Sequence, residues 1–303
     1  MAPRKMQITK FLGEGSYGSV KLVKFTVEGG GSVYNAMKTS SPENSENLLK
    51  EFEILSKFRG CPRIVQCYGD RVVQKETKKG DKEFRMFMEY ASGGTLADLM
   101  DRHVNRRLPD RLIKEFTRMI LEGLVVIHGH HYIHCDLKPG NILVFPKEMS
   151  TCSSAYEIKI SDFGLSREVK KGDSQTPFIG TTQYMSPESA CEGEIGTAHD
   201  LWSLGCIVLE MFTGVLPWST SEDYYILPFL AIGHAPKIPE TLPCDARNFI
   251  ETCFASNPEE RSSATMLLEH PFLHEEKPQV DNIVRCAHRM PPPGFDVLPP
   301  GLT

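Results

Sequence analysis

Several features are scarce or missing, and each absence removes a class. The longest apolar run, residues 201–212, contains Glu210 and is too short for a membrane span, which takes about 20 residues. The N-terminus, MAPRKMQITKFLGEG, lacks the apolar stretch of a signal peptide. The nine cysteines include no CxxC pair, and Cys61 and Cys67 have no nearby His/Cys cluster. A zinc site is therefore not expected, and the odd count reads as reduced cytosolic thiols, mostly small core residues. Basic residues are not in excess: Lys and Arg number 34 against 39 Asp and Glu, a net charge of −5. No global basic field exists to hold nucleic acid or an anionic membrane. No internal repeat is visible.

What remains is an ordinary globular composition, 40% hydrophobic and 24% charged over 303 residues. That length suits one large domain or two lobes sharing an interface. Short β-rich runs at 7–12, 19–26 and 33–38 are separated by glycine-rich turns at 13–18 and 29–31, an antiparallel meander. Residues 47–58 place Leu48, Leu49, Phe52, Leu55 and Phe58 at helical spacing. Strand patterns return at 64–68, 71–75 and 84–90, with the charged turn KETKKGDKE as an exposed hairpin. After Ser92-Gly93-Gly94 the texture becomes helical, at 96–104, 109–129, 201–213, 224–232, 244–254 and 264–269. The expected class is α+β and bilobal: a small antiparallel β lobe with one key helix, joined near residue 91 to a larger, mainly α-helical lobe. The last 30 residues, 274–303, contain MPPPGF and LPPG with little periodicity and read as a Pro-rich tail, draped or disordered. Proline density alone does not make it a docking peptide.

Gly13-Glu-Gly15-Ser-Tyr-Gly18-Ser-Val20 is a GxGxxGxV run. In a dinucleotide fold the glycines would open a helix, with an acid about 20 residues on. Here a strand pattern continues, and position 38 is a lysine. Strand–turn–strand geometry suits a flap whose N–H groups cover phosphates, although a glycine hairpin without function would look the same. Lys38 ends the third strand. A lysine at the end of a buried strand needs a partner; a phosphate and Glu51 of the next helix would serve. Glu53 lies about 200° away on the wheel and is the lesser candidate. A snorkelling surface lysine is the plainer alternative. In His134-Cys135-Asp136-Leu137-Lys138-Pro139-Gly140-Asn141, Asp136 and Asn141 are five apart, and Asp162-Phe163-Gly164 follows 21 residues after Asn141. Three oxygen-bearing side chains near turns are what a Mg²⁺–phosphate site requires. Each alone is more often a turn or cap residue.

In order, GEGSYG, AMK, HCDLKPGN, DFG and SPE resemble the signature set of eukaryotic protein kinases, over roughly residues 7–273. HCDLKPGNILVF, DFGLSREV and GTTQYMSPES resemble plant MAP kinase kinase kinases. The resemblance implies a bilobal kinase fold, with a small lobe at 7–91, a large lobe at 92–273 and residues 1–6 as an extension. It implies ATP and Mg²⁺, with Gly13, Gly15 and Gly18 over the nucleotide and Leu12, Val20, Ala36 and Leu143 around the adenine. Met88 would be the gatekeeper, and Glu89 and Ala91 the hinge that binds adenine through its backbone. Lys38 would meet the α/β-phosphates and pair with Glu51. Asp136 would orient the acceptor hydroxyl, Lys138 would steady the γ-phosphate, and Asn141 and Asp162 would hold Mg²⁺. Thr181 would contact Asp136 and help admit a Ser or Thr acceptor. Glu188 would pair with Arg261, and Asp200 would anchor the catalytic-loop backbone.

The function so implied is a serine/threonine protein kinase acting on a MAP kinase kinase, working as a monomer in the cytoplasm or also the nucleus, without nucleic acid or membrane. The alternative is a pseudokinase or scaffold that keeps the fold and signals by docking. A nicotinamide enzyme is disfavoured by the strand after the glycines. Three departures stand out. Cys135 replaces the usual arginine that clamps an activation-loop phosphate, a charge no thiol can supply. Phosphorylation in segment 165–182, for instance at Ser174, Thr176 or Thr181, is thus expected to matter less or to act through another cation such as Arg167. A reactive redox Cys135 is the sharper alternative to a passive thiol. Ser186 replaces a common alanine, and Gly140 could loosen the loop. With six residues ahead of the core, regulation is expected from the activation loop, the tail, or an upstream activator or regulatory protein.

Overall fold

In the computed structural model the described residues are 5–15, 18–27, 30–77, 80–147, 155–169, 180–191, 195–218 and 223–274. The expectations for Ser174, Thr176 and the tail beyond residue 274 lie outside them. Strands β1 (Lys5–Gly15), β2 (Gly18–Thr26) and β3 (Ser32–Ser40) form the antiparallel meander. Helix α1 (Ser45–Lys57) follows, then β4 (Cys67–Glu76) and β5 (Lys82–Glu89). The sheet order is β1-β2-β3-β5-β4, so β5 inserts beside β3 and aligns Lys38 with Met86 and Ala36 with Met88. Helix α1 buries Leu48, Glu51, Ile54 and Leu55, whereas Leu49 is exposed.

The large lobe starts at α2 (Leu96–Asp101), capped by Thr95 and Asp98 in a reciprocal capping box. Helix α3 (Asp110–Gly129) buries Ile113, Phe116, Ile120, Leu124 and Ile127, one face at 3–4 residue spacing. Short ladders follow: β6 (Tyr132–Ile133), β7 (Ile142–Pro146), β8 (Tyr156–Ile160) and β9 (Arg167–Glu168), paired β6–β9 and β7–β8. Then come α4 (Pro187–Cys191), α5 (Thr197–Thr213), α6 (Asp223–Ala231), α7 (Cys244–Cys253) and α8 (Ala264–Leu268). Helix α5 is buried on every side from His199 to Phe212, which explains the apolar run at 201–212: it is a core helix. No helix among the described residues is long and apolar enough to cross a membrane.

Two sequence expectations are corrected. Residues 64–68 are not a strand of their own: Ile64 makes an isolated bridge to Ile160, and only Cys67 and Tyr68 join β4, which runs on through a register shift to Glu76. The reason is Gln66, whose Nε2 donates to the carbonyls of Cys61 and Ile64 while its Oε1 accepts from Gly60 N–H, folding the segment into a turn. The helix expected over 96–104 ends at Asp101. His103 is already extended, at φ −98° and ψ 151°, which stops the helix inside the expected range, and Asn105 and Arg106 then take positive φ, 54° and 59°, which no helix continues through. Their carbonyls press on Gly214, where any Cβ would collide with the Asn105 backbone.

Candidate functional site

The cleft between the two lobes is about 770 Å³ and is lined by the glycine turn, Lys38, the strip from Met88 to Gly94, the 136–143 loop and Asp162. Leu12, Gly13, Gly15, Gly18, Val20, Ala36, Glu51, Met88, Glu89, Ala91, Asp136, Lys138, Asn141 and Leu143 all face it. Of the sequence candidates only Thr181 is outside this lining, and it reaches the cleft through Asp136.

Strand β3 carries Lys38 to the cleft, and α1 brings Glu51 up behind it. Lys38 Nζ lies 2.6 Å from Glu51 Oε2 and 2.8 Å from Asp162 Oδ1. Burial works against the Lys38 charge, but the two carboxylates outweigh it and hold the ammonium well above its usual pKa. An ammonium has three donors, and two are used. Glu53, by contrast, is exposed.

Asp162 sits at φ 63°, a left-handed turn that points its carboxylate back at Lys38. Burial pushes its carboxyl up; Lys38 overrides that and keeps it below the usual range. Phe163 next to it is fully buried, 5.6 Å from the Phe58 ring at the end of α1 and 5.0 Å from His134. The apolar contact therefore ties the position of Asp162 to the helix that carries Glu51.

Asp136 is the centre of a polar knot. Its Oδ1 accepts from Thr181 Oγ1 at 2.7 Å, and its Oδ2 accepts from Lys138 Nζ at 2.8 Å and Asn141 Nδ2 at 3.0 Å. Lys138 Nζ also donates to Thr181 Oγ1 at 2.7 Å. Asn141 Nδ2 donates to the Asp136 carbonyl as well, at 2.8 Å. Both amide hydrogens are thus engaged within the loop, and Asn141 Oδ1 has no hydrogen-bond partner among the described residues. Asn141 and Asp162 both line the cleft, and an amide oxygen and a carboxylate are hard donors of the kind a magnesium ion takes. Thr181 donates to Asp136 and accepts from Lys138, the contact with Asp136 that the resemblance implies.

Buried supports hold this knot. Asp200, fully buried on α5, accepts from the backbone N–H of His134 and Cys135 at 2.9 and 3.1 Å. Burial raises its carboxyl, but His128, 2.8 Å away, and the other histidines bring it below the usual range. Glu188 meets Arg261 in a bidentate pair at 2.6 and 2.9 Å. Cys135 is completely buried in a small apolar cluster with Ile133, packed by Leu165 and Ile195. Burial, then Asp200, drive its thiol pKa far up; it is a small hydrophobe, and the redox reading is overturned because a reactive cysteine needs access and a stabilised thiolate.

Sequence reasoning missed three residues around the site. Glu89 in the hinge strip uses its carboxylate as well as its backbone: Lys159 Nζ lies 2.8 Å from Oε2, and Gln66 N–H donates to Oε1 at 2.8 Å. His199 bridges two backbone segments. No sequence motif surrounds Gln66, Lys159 or His199, and each has a partner 23 to 70 positions away.

Comparison with known proteins places this geometry. The protein kinase domain family matches residues 6–273. Mitogen-activated protein kinase kinase kinase 20 of Arabidopsis thaliana is 35% identical, covering 78% of this chain and 69% of the relative. Mitogen-activated protein kinase kinase kinase 3 of the same plant is 36% identical, over 87% of this chain and 42% of the relative. A plant mitogen-activated protein kinase kinase, number 2 of A. thaliana, is 31% identical over 89% and 72%. The chain therefore spans from about two fifths to seven tenths of these relatives' length. With the β-sheet lobe, the helical lobe and the cleft between them, the chain belongs to the protein kinase family, as a serine/threonine kinase similar to plant MAP kinase kinase kinases.

Proposed function

We propose that the chain transfers the γ-phosphoryl group of Mg-ATP to a serine or threonine of a MAP kinase kinase. The observation that carries the reading is the Asp136 carboxylate, held at once by Lys138, Asn141 and Thr181 in the cleft. A carboxylate so oriented is placed to accept a hydrogen bond from an incoming hydroxyl and aim its oxygen in line. Lys38, with one N–H left, reaches the α/β-phosphates while Glu51 fixes its direction. Lys138 neutralises charge on the transferring group. Asn141 and Asp162 would hold the magnesium, whose contribution is neutralising phosphate charge. The glycine turn covers the phosphates. The apolar set Leu12, Val20, Ala36 and Leu143 encloses the base, and Ala91 N–H makes no backbone hydrogen bond among the described residues, leaving it for adenine beside the Met88–Glu89 strip.

The Cys135 position supplies no cation to a phosphorylated activation loop. Arg167 and Lys50 are close enough to act on the Cys135 thiol electrostatically. A role as a pure scaffold gains no support from the cleft, since no expected side chain is missing.

The test is phosphate transfer from labelled Mg-ATP to a catalytically inactive MAP kinase kinase, to an inactive MAP kinase and to a generic acceptor protein, with Asp136→Asn alongside. Labelling of the MAP kinase kinase above the others, lost in Asp136→Asn, is expected. Preference for the MAP kinase would move the chain one tier down, in line with its likeness to a MAP kinase kinase. No transfer by wild type while Mg-ATP still raises Tm would overturn the enzymatic reading in favour of a scaffold.

A further inference from the structure

Cys135 and Ser186, two positions where the sequence departs from the kinase pattern, are joined in space by a third residue that no motif flags. His199 precedes Asp200 on α5 and is 1% exposed. Its Nε2 lies 3.3 Å from the Cys135 carbonyl oxygen, and its Nδ1 lies 2.9 Å from Ser186 Oγ. A carbonyl only accepts, so Nε2 carries the hydrogen. Burial holds the ring below the usual imidazole pKa against the pull of Asp200 and Glu188. A neutral ring has one N–H, so Nδ1 accepts and the Ser186 hydroxyl donates to it. The Glu188 carboxylate is a second acceptor beside that hydroxyl, so the Ser186 hydrogen is shared between Nδ1 and Glu188.

The bridge ends on two segments that must stay in register. Cys135 immediately precedes Asp136 and sits at φ 68°, a left-handed conformation disfavoured for a residue with a Cβ. Ser186 closes the segment that begins at Gly180-Thr181. Gly180 packs on the same Cys135 carbonyl, and a Cβ there would collide with its oxygen. One carbonyl is thus where the catalytic loop, the Thr181 segment and α5 meet. Asp200 holds the N–H groups of this loop, and His199 beside it holds a C=O.

We propose that His199 is a positioning residue for phosphoryl transfer: through the Cys135 carbonyl and the Ser186 hydroxyl it sets the Asp136 carboxylate against the Thr181 segment. The proposal rests on the role given to Asp136 above. Displacement of a reacting group by about 1 Å can cost 10²-fold in rate, so small shifts at this junction are measurable.

The experiment compares wild type, His199→Ala, His199→Gln, His199→Asn and Ser186→Ala in the whole chain. It measures kcat, KM for ATP and for the MAP kinase kinase acceptor, and Tm. His199→Ala should lower kcat about 10- to 100-fold with KM for ATP within about twofold, because the nucleotide half of the cleft is untouched. A glutamine amide reaches the Nε2 position and can donate to the carbonyl, so His199→Gln should recover to within a few-fold of wild type. Asparagine reaches only the Nδ1 position and should not. A merely space-filling histidine would show no such Gln-over-Asn order. Ser186→Ala should lower kcat less and add nothing in the His199→Ala background, since the two share one bridge. Wild-type kcat in His199→Ala, or equal rates for Gln and Asn, overturns the proposal. If His199→Ala does not fold, unchanged kcat and acceptor KM in Ser186→Ala overturns it. Inactivity of wild type itself overturns the kinase reading and this proposal with it, which separates the two failures.

Discussion

The two lobes each bury an ion pair, and the pairs are built for different ends. In the large lobe Arg261 has a fully buried side chain and spends every N–H: Nη1 and Nη2 on Glu188 at 2.6 and 2.9 Å, and the rest on the carbonyls of Ala255, Ala198 and Ser256. Its guanidinium also lies 5.0 Å from the Trp202 ring. In the small lobe Lys38 spends two N–H groups, on Glu51 and Asp162, and faces the cleft. A saturated planar fork holds a structure together, whereas a point charge with a hydrogen to spare is ready for a ligand. The donor count distinguishes support from site where burial and distance look alike.

The comparison breaks hardest at Arg261. Arg261→Ala leaves Glu188 buried without its cation, and should cost about 3–5 kcal/mol of unfolding free energy by denaturant titration. Lys38→Met should instead lower phosphoryl transfer about 10²–10³-fold and abolish the Tm rise with Mg-ATP, with a smaller stability loss, because methionine keeps the packing of the lysine stem and two donor contacts are lost rather than five. Equal losses of stability in the two variants would refute the distinction.

A pH series sharpens the same contrast. Burial pushes the Glu188 carboxyl up, but Arg261 overcomes this and keeps it below 4.5 in the folded chain. A folded pKa below the unfolded one gives stability that is present above about pH 4.5 and fades as pH falls through the lower folded value. In Arg261→Met the cation is gone and only the Ser186 and backbone hydrogen bonds are left to oppose burial, so less of this pH-dependent stability remains to be lost. The Tm gap between wild type and Arg261→Met should therefore narrow from pH 6 to pH 4. A constant gap would sink the assignment. The smallest effect concerns Cys135: native protein should be alkylated by iodoacetamide at exposed Cys244 and not at Cys135, by peptide mass mapping. Modification of Cys135 at the rate seen in denaturant would contradict its burial.

Much of the site was legible before any coordinates. Asp136, Asn141 and Asp162 lie in or beside turns, where side-chain type and short spacing carry the chemistry, and Lys38 stands in strand β3, which the β-rich run at 33–38 makes visible. Glu51 over Glu53 followed from the 100° step of a helix. Gln66, Lys159 and His199 were not legible, because nothing local distinguishes a glutamine that caps three carbonyls or a histidine that spans two loops. The left-handed pair Asn105–Arg106 beyond α2 was hidden for a related reason: it packs on Gly214, more than 100 residues on, where only glycine admits the Asn105 carbonyl.

By itself the sequence determined the periodicities that make the sheet and helices, the glycine turn, and the identity and order of the cleft's charged residues, since these depend on neighbours within a few turns of chain. Only the tertiary structure decided which hydrogens those residues have left to offer. The Lys38 inventory closes across contacts 13 and 124 positions apart and that of Arg261 across contacts of 63 and 73, and it is that accounting which makes Arg261 a support and Lys38 a ligand-facing charge.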